Sequence, residues 1–263
     1  MIIVADNIQI TNPVIAEAVN KMNPDPICKM AIECERAGAD MLDINSGPLY
    51  REAEVKMRFL IEAVQSVSDL PVLIDTANPV AMRAGLEASK NITIINGFSL
   101  ESKKLDLILP MAREFDTCII GFLLHPNSHV PSNADERFQV ALEIFSAIQQ
   151  EGIKKENLII DPVLAPVSWQ DGLSQNMEIL SVLNNLDDLF GFPVRTIGGI
   201  SNLTTGSGPI RKKRLVEKTY IPMLANSGLD MALVNVFHRE SVQTIKTCRS
   251  LLTRRIFTYE DAG

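Results

Sequence analysis

Six polar residues carry most of the chemistry this sequence offers: Asp43, Asn45, Asp75, Asn96, Asp161 and Asn202. Five follow directly on short apolar runs (ADMLDIN, PVLID, NITIIN and LIID), and Asn202 closes the segment VRTIGGISN. A carboxylate accepts hydrogen bonds from N–H groups, and an amide both donates and accepts. A pocket lined this way suits a flat, nitrogen-rich ring with an N–H edge, such as a pterin or a purine. Asp and Asn also close turns and cap helices, so any one of these positions is more readily a cap than a catalytic group. The functional case rests on the set, in which apolar strands run straight into Asp or Asn.

The residue types that are missing narrow the chemistry. No apolar run ends in Lys, which disfavours a Schiff-base mechanism. Of the three histidines, His125 and His129 share the loop HPNSHVP and His238 stands apart, a poor basis for a catalytic zinc. No Ser-His-Asp order is evident. Asp43, Asp75 and Asp161 could hold Mg²⁺ on composition alone, which leaves a metal-dependent hydrolase or lyase as an alternative.

The elements that must position these residues alternate regularly. Strands are predicted at 2–4, 39–44, 71–75, 91–95, 117–123, 158–161, 194–197 and 231–234. They are nearly continuous in Val, Ile and Leu, as strands buried on both faces of a parallel sheet are. Helical spacing fills 24–37, 52–67, 79–86, 104–115, 135–150, 175–186, 215–226 and 240–252, with Gly38 and Gly152 as stop signals. Eight such pairs imply a closed barrel or an open doubly wound sheet. No G-x-G-x-x-G follows the first strand and there is no P-loop, so a single (β/α)₈ TIM barrel over residues 1–263 is expected. In that fold the strand C-termini form the active-site mouth. The polar stretch 254–263 reads as a peripheral tail.

Bulk properties exclude other classes. A net charge of −7 disfavours nucleic acid as a partner. The run Arg211-Lys212-Lys213-Arg214 reads as a solvated loop or a first helical turn, or else as a docking patch for an acidic partner or a polyanionic tail. The four cysteines form no C-x-x-C pair, Cys118 in TCIIGF reads as a buried thiol, and a reducing cytoplasm fits best. MIIVADNIQI lacks the pattern of a signal peptide, and no run approaches the ~20 apolar residues of a membrane span.

Read together, ADMLDINSGP, LPVLIDTANPVAMRAGLE, NITIING, ENLIIDPV, GGISN and RLVEKTYIPMLANSGLDMALVN resemble the pterin-binding methyltransferase family. That family includes the methyltetrahydrofolate:corrinoid protein methyltransferases and the folate domain of cobalamin-dependent methionine synthase. Dihydropteroate synthase is a more distant relative. Its Asn-x-Thr-Pro-Asp-Ser-Phe loop and its Ser-Arg-Lys segment after strand seven are both absent here.

The resemblance covers nearly the whole chain and implies a transfer of methyl between N5 of tetrahydrofolate and the cobalt of a corrinoid. It places pterin contacts on Asp75, Asn96 and Asp161, the catalytic amide on Asn202, and supporting groups on Asp43 and Asn45. It further implies tetrahydrofolate or 5-methyltetrahydrofolate as substrate, a corrinoid (cobalamin) carried by a partner protein, no metal bound by this chain, and a homodimer. A non-catalytic pterin or folate carrier is the other alternative. Two departures stand out. Ala5-Asp6-Asn7-Ile8-Gln9 replaces the family's Gly-Glu-Arg-Ile-Asn, and 98–103 lacks its polar Ser-Thr-Asn run.

Overall fold

The computed structural model describes residues 1–253, and the expected tail at 254–263 lies outside them. Eight parallel strands close in sequence order into a barrel: β1 (Ile2–Gln9), β2 (Met41–Asn45), β3 (Val72–Asp75), β4 (Thr93–Phe98), β5 (Cys118–Phe122), β6 (Leu158–Asp161), β7 (Arg195–Gly199) and β8 (Met231–Val234). The expected TIM barrel is therefore what the chain forms.

Successive side chains on a strand point to opposite faces, so each strand sends every second residue into the barrel. Val4, Leu73, Ile94, Ile120, Ile159, Ile197 and Met231 pack there as one cluster, with Ile2, Met41, Cys118, Phe122 and Leu233 against it. The other parity faces the helices in a larger core that includes Ile3, Leu42, Ile44, Val72, Ile74, Ile119 and Ile160. Two steps beyond the interior residues, towards the C-terminal ends, the same inward parity reaches Asp6, Asp43, Asn45, Asp75, Asn96 and Asp161. Polar residues there lie within reach of one another and of the mouth, whereas mid-barrel they would be buried without partners.

The helices are α1 (Pro13–Lys21), α2 (Asp25–Ala37), α3 (Ala53–Gln65), α4 (Pro79–Ala88), α5 (Ser102–Leu107), α6 (Leu109–Glu114), α7 (Ala134–Glu151), α8 (Gly172–Phe190), α9 (Ile210–Asn226) and α10 (Arg239–Leu252). Helix α1 was not expected. Its start signals are present, since Asn12 accepts from the Val14 N–H and Pro13 opens the helix. The helix expected at 104–115 is two pieces, broken ahead of Pro110, which lacks the N–H an uninterrupted helix needs. Gly38 and Gly152 end α2 and α7 at positive φ as expected. The basic run at 211–214 falls in the first turns of α9.

Two strand predictions need correction. β1 runs five residues past its expected end, so Asp6 and Asn7 lie within it and not after it. Between Ala5 and Ile8 its register with β2 slips, and the bulge fits one more residue into β1 than β2 offers opposite it. β4 likewise continues to Phe98, with a register shift after Asn96. Cys118 is half-buried, not buried, because it lies at the N-terminal end of β5, where the Arg195 guanidinium donates to its sulfur at 3.1 Å.

Candidate active site

The register sets Asn45, Asp75 and Asn96 side by side across β2, β3 and β4. Two hydrogen bonds tie the carboxylates to the amides. Asn45 Nδ2 donates to Asp75 Oδ2, and Asn96 Nδ2 donates to Asp43 Oδ1 at 2.9 Å. Asn45 also accepts from the Gly47 N–H at 3.1 Å, which orients its amide so that the nitrogen faces Asp75. Four of the six expected residues thus form one connected polar surface on adjacent strands.

Asp161 stands apart from this group on β6, level with Phe122 of β5. Its Oδ1 accepts from the Val163 N–H at 2.7 Å, and its second oxygen has no hydrogen-bond partner among the described residues. Asn202 lies on a short 3-10 turn, Ile200–Thr204, that follows β7. Its amide packs over Gly199, where a Cβ would come within 3.1 Å of Nδ2, and it makes no side-chain hydrogen bond among the described residues. An exposed amide with both its donor and its acceptor free can engage a ligand without first breaking an internal bond.

Burial governs the ionisation of the mouth. It raises Asp161 to about 7, opposed only by the Val163 N–H. It raises Asp75 to about 6 against the Asn45 bond and the positive charge of Lys104 on α5. Asp43 is pushed well above the ordinary carboxylate range, first by burial and then by the charge of Asp75 beside it, with Asn96 opposing. One neutral donor offsets only part of such a desolvation cost, so these groups hold their protons unusually far towards neutral pH.

Asp6 belongs with them, and the sequence reading left it out of the candidate set. Burial, followed by a smaller contribution from Glu217, raises it to about 6. Its carboxylate accepts from Ser201 Oγ at 3.4 Å, on the turn that carries Asn202. The signal was legible, since Asp6 continues the alternation of Ile2 and Val4. Its neighbour Asn7 faces the other way and pins the end of β8. Asn7 Nδ2 donates to Asn235 Oδ1 at 2.9 Å, and Asn7 Oδ1 accepts from the Val236 N–H at 3.1 Å.

Asp43, Asp75 and Asp161 do not converge. Among the described residues no three His, Cys, Asp or Glu side chains form a group that could hold a metal ion. Among the same residues, no helix is long and apolar enough to cross a membrane.

The chain is 21% identical over 253 residues to a methylcorrinoid:tetrahydrofolate methyltransferase of Eubacterium limosum, covering 96% of this chain and 91% of that protein. It is 20% identical over 208 residues to methionine synthase of Mycobacterium leprae, covering 76% of this chain but only 17% of that much longer enzyme. Among solved structures, dihydropteroate synthase of Stenotrophomonas maltophilia superposes with a TM-score of 0.72 at 16% identity, covering 97% of this chain and 94% of that one. The enzyme of Xanthomonas albilineans, in complex with 7,8-dihydropteroate, gives 0.67 at 20% identity, with 95% and 93% covered. At these identities the solved structures speak for the fold. Residues 10–235, including five of the six candidate strand-end groups in full strand context and Asn202 with its turn, match the family of pterin binding enzymes, and the chain belongs to that family.

Proposed function

We propose that this chain moves a methyl group between N5 of tetrahydrofolate and the cobalt of a corrinoid carried by a partner protein. The observation that carries the reading is the division of labour at the mouth. A connected acceptor-rich surface on β2–β4 faces the same opening as Asp161 and the unbonded amide of Asn202. In this reading Asp75, Asn96 and Asp161 hydrogen-bond the N–H edge of the pterin, while Asp43 and Asn45 hold those acceptors in place. Asn202 contacts N5. The relative from Eubacterium limosum, named for methyl transfer between a methylcorrinoid and tetrahydrofolate, supports the same assignment.

The chemistry needs a group at N5 that acts chiefly in the transition state. When methyl leaves N5, the N–C bond breaks with its electron pair kept by nitrogen. The carbon bonds to nucleophilic Co(I), and nitrogen takes up a proton. In the opposite direction N5 gives up that proton and attacks the methyl carbon, and the Co–C bond breaks with its electron pair returning to cobalt as Co(I). An amide strengthens its hydrogen bond as charge changes at N5 but cannot supply the proton, so a carboxyl or water must do so. The elevated carboxyl groups of the mouth are suited to hold one. Dihydropteroate synthesis is the less favoured reading, because Gly198-Gly199-Ile200-Ser201-Asn202 brings no cationic side chain after β7.

The same reading takes residues 1–263 as one domain, a cytoplasmic setting and a homodimer. An apolar groove supports the dimer. Leu173 and Met177 of α8 face Leu215, Val216 and Met223 of α9 across about 500 Å³, floored by Leu203 and Tyr220. Arg211, Lys212 and Arg214 at the start of α9 and Asp188 near the end of α8, none of them in an ion pair among the described residues, suit a two-fold pairing of α8 with the α9 of a second copy.

The decisive experiment mixes the protein with 5-methyltetrahydrofolate and cob(I)alamin and follows methylcobalamin by its absorbance. Turnover that survives EDTA is expected, and Asn202→Ala should lower it by roughly 10–10³-fold, as for a lost transition-state hydrogen bond. Folate affinity should change far less. Folate binding without turnover would identify a carrier instead, and EDTA-sensitive hydrolysis would identify the metal-dependent alternative.

A further inference from the structure

The first half of α9 buries a carboxylate where its amphipathic pattern calls for an apolar residue. Glu217 is 7% exposed, in line with the buried Tyr220, Ile221 and Leu224. Burying a charged group costs several kcal/mol unless partners meet it, so its presence calls for a reason other than packing. Its partners lie on the loops of the barrel mouth. Thr204 Oγ1, itself buried, donates to Glu217 Oε1, and His238 Nδ1 lies 3.9 Å from Oε2. Thr204 is the last residue of the turn that carries Asn202. At the other end of that turn, Ser201 Oγ donates to Asp6 from inside the barrel at 3.4 Å. The carbonyl of Leu203 accepts from the Val167 N–H at 2.9 Å. Two carboxylates thus grip the hydroxyls on either side of Asn202, one from the barrel interior and one from the helical layer. The Asn202 carbonyl accepts from the Thr205 N–H at 3.1 Å, while its side-chain amide makes no hydrogen bond among the described residues.

We propose that Glu217 is a positioning residue for the transfer step: through Thr204 it fixes the 200–204 turn so that the free amide of Asn202 is held against the ligand. This rests on the function proposed above. The arrangement explains how an exposed amide can stay preorganised, which matters because a misplacement of about 1 Å can cost on the order of 10²-fold in rate. Glu217 also acts electrostatically, because its charge is one of the influences that raise Asp6. The groups that face Glu217 are Thr204 on the turn, His238 on the loop before α10 and Asp6 on β1. Those that bear on Asp6 are Ser201 and Glu217, and the charge of Asp6 in turn raises Asp43 on β2 and Cys34 on α2. Arg214, one turn earlier on α9, bears on His238.

The test compares Thr204→Val, Glu217→Leu and Glu217→Gln. The first two remove the donor or the acceptor at nearly constant volume, whereas Gln keeps an oxygen for Thr204 and removes the charge. Thr204→Val and Glu217→Leu are expected to lower kcat by about 10–100-fold, with KM for the folate within about twofold. Glu217→Gln should restore most of kcat. It should also move the limb of the kcat–pH profile set by Asp6 to lower pH, because Asp6 loses a negative neighbour.

Hydrogen exchange supplies a readout free of activity. The amides of 199–206 should exchange about tenfold or more faster in Thr204→Val and Glu217→Leu, with the barrel strands unchanged. Unchanged kcat in both variants, or folate KM rising in step with the fall in kcat, would overturn the assignment. If wild-type protein transfers no methyl, the function proposed above fails. The exchange experiment then still decides whether Glu217 holds the turn, and unaltered exchange would overturn that as well.

Discussion

Asp161 shows how one residue can be costly to the fold and useful to a ligand. Its folded pKa of about 7 lies far above the ordinary carboxylate value, so the folded state holds a proton that the unfolded chain has released. Stability at this residue is therefore greatest at low pH and declines as pH rises from about 4 to about 7. A ligand that offers N–H donors reverses this preference, because hydrogen bonds to the carboxylate favour its charged form. Folate affinity is expected to rise between pH 6 and pH 8, with protons released on binding near pH 6.5, measurable by calorimetry in buffers of different ionisation enthalpy. Asp161→Asn should raise Tm at pH 7.5, by about 2–4 °C per kcal/mol relieved in a chain of this size, while weakening folate binding. A variant that loses stability, or that binds folate as the wild type does, would contradict this account. The chemical types of the mouth residues were legible in the sequence because apolar strands ran straight into them. Glu217 was not. It sits in RLVEK, within a charge-rich stretch that reads as a solvated face, and only the fold reveals that this position points inward.

Among the strands, β4 is tightly held at Gly97. A Cβ on Gly97 would stand 2.4 Å from the carbonyl oxygen of Ile120 on β5, a backbone atom that cannot move aside without disturbing the pairing of the two strands. Gly97→Ala is expected to lower Tm and to weaken folate binding by tenfold or more, because Asn96 next to it must shift with the strand. Wild-type affinity in a folded Gly97→Ala protein would show that β4 yields more easily than its packing implies. The same element scale explains which parts of the fold the sequence revealed. All eight strands were visible as apolar runs. Their ends were drawn too early at β1 and β4, because strand prediction stops at polar residues and these strands continue through them into the mouth. Helix α1 was hidden for a different reason. It is only nine residues long and starts at Asn12-Pro13, which reads as a turn until the helix beyond it is seen.

For the whole molecule, the surface feature that asks for a partner is the groove between α8 and α9. Leu173 is 69% exposed, Leu215 63% and Met177 57%, close together on one side of the barrel. An exposed cluster of this kind commonly marks an interface. Met177→Lys together with Leu173→Lys is expected to convert a dimer to a monomer in analytical ultracentrifugation while leaving the barrel folded by circular dichroism. A wild-type protein that sediments as a monomer at micromolar concentration would remove the basis for the dimer. The pleat of the strands has a consequence for how this protein can diverge. Because inward and outward faces alternate with a period of two, a one-residue deletion within β3 or β6 would exchange the mouth-facing carboxylate for a core aliphatic and turn the carboxylate towards the helices. The strands are thus written in a reading frame of two, which tolerates substitution but not frameshift. The connections that follow the strands carry no such frame, so their length can vary around a mouth whose spelling stays fixed, save after β7, where the 200–204 turn carries Asn202.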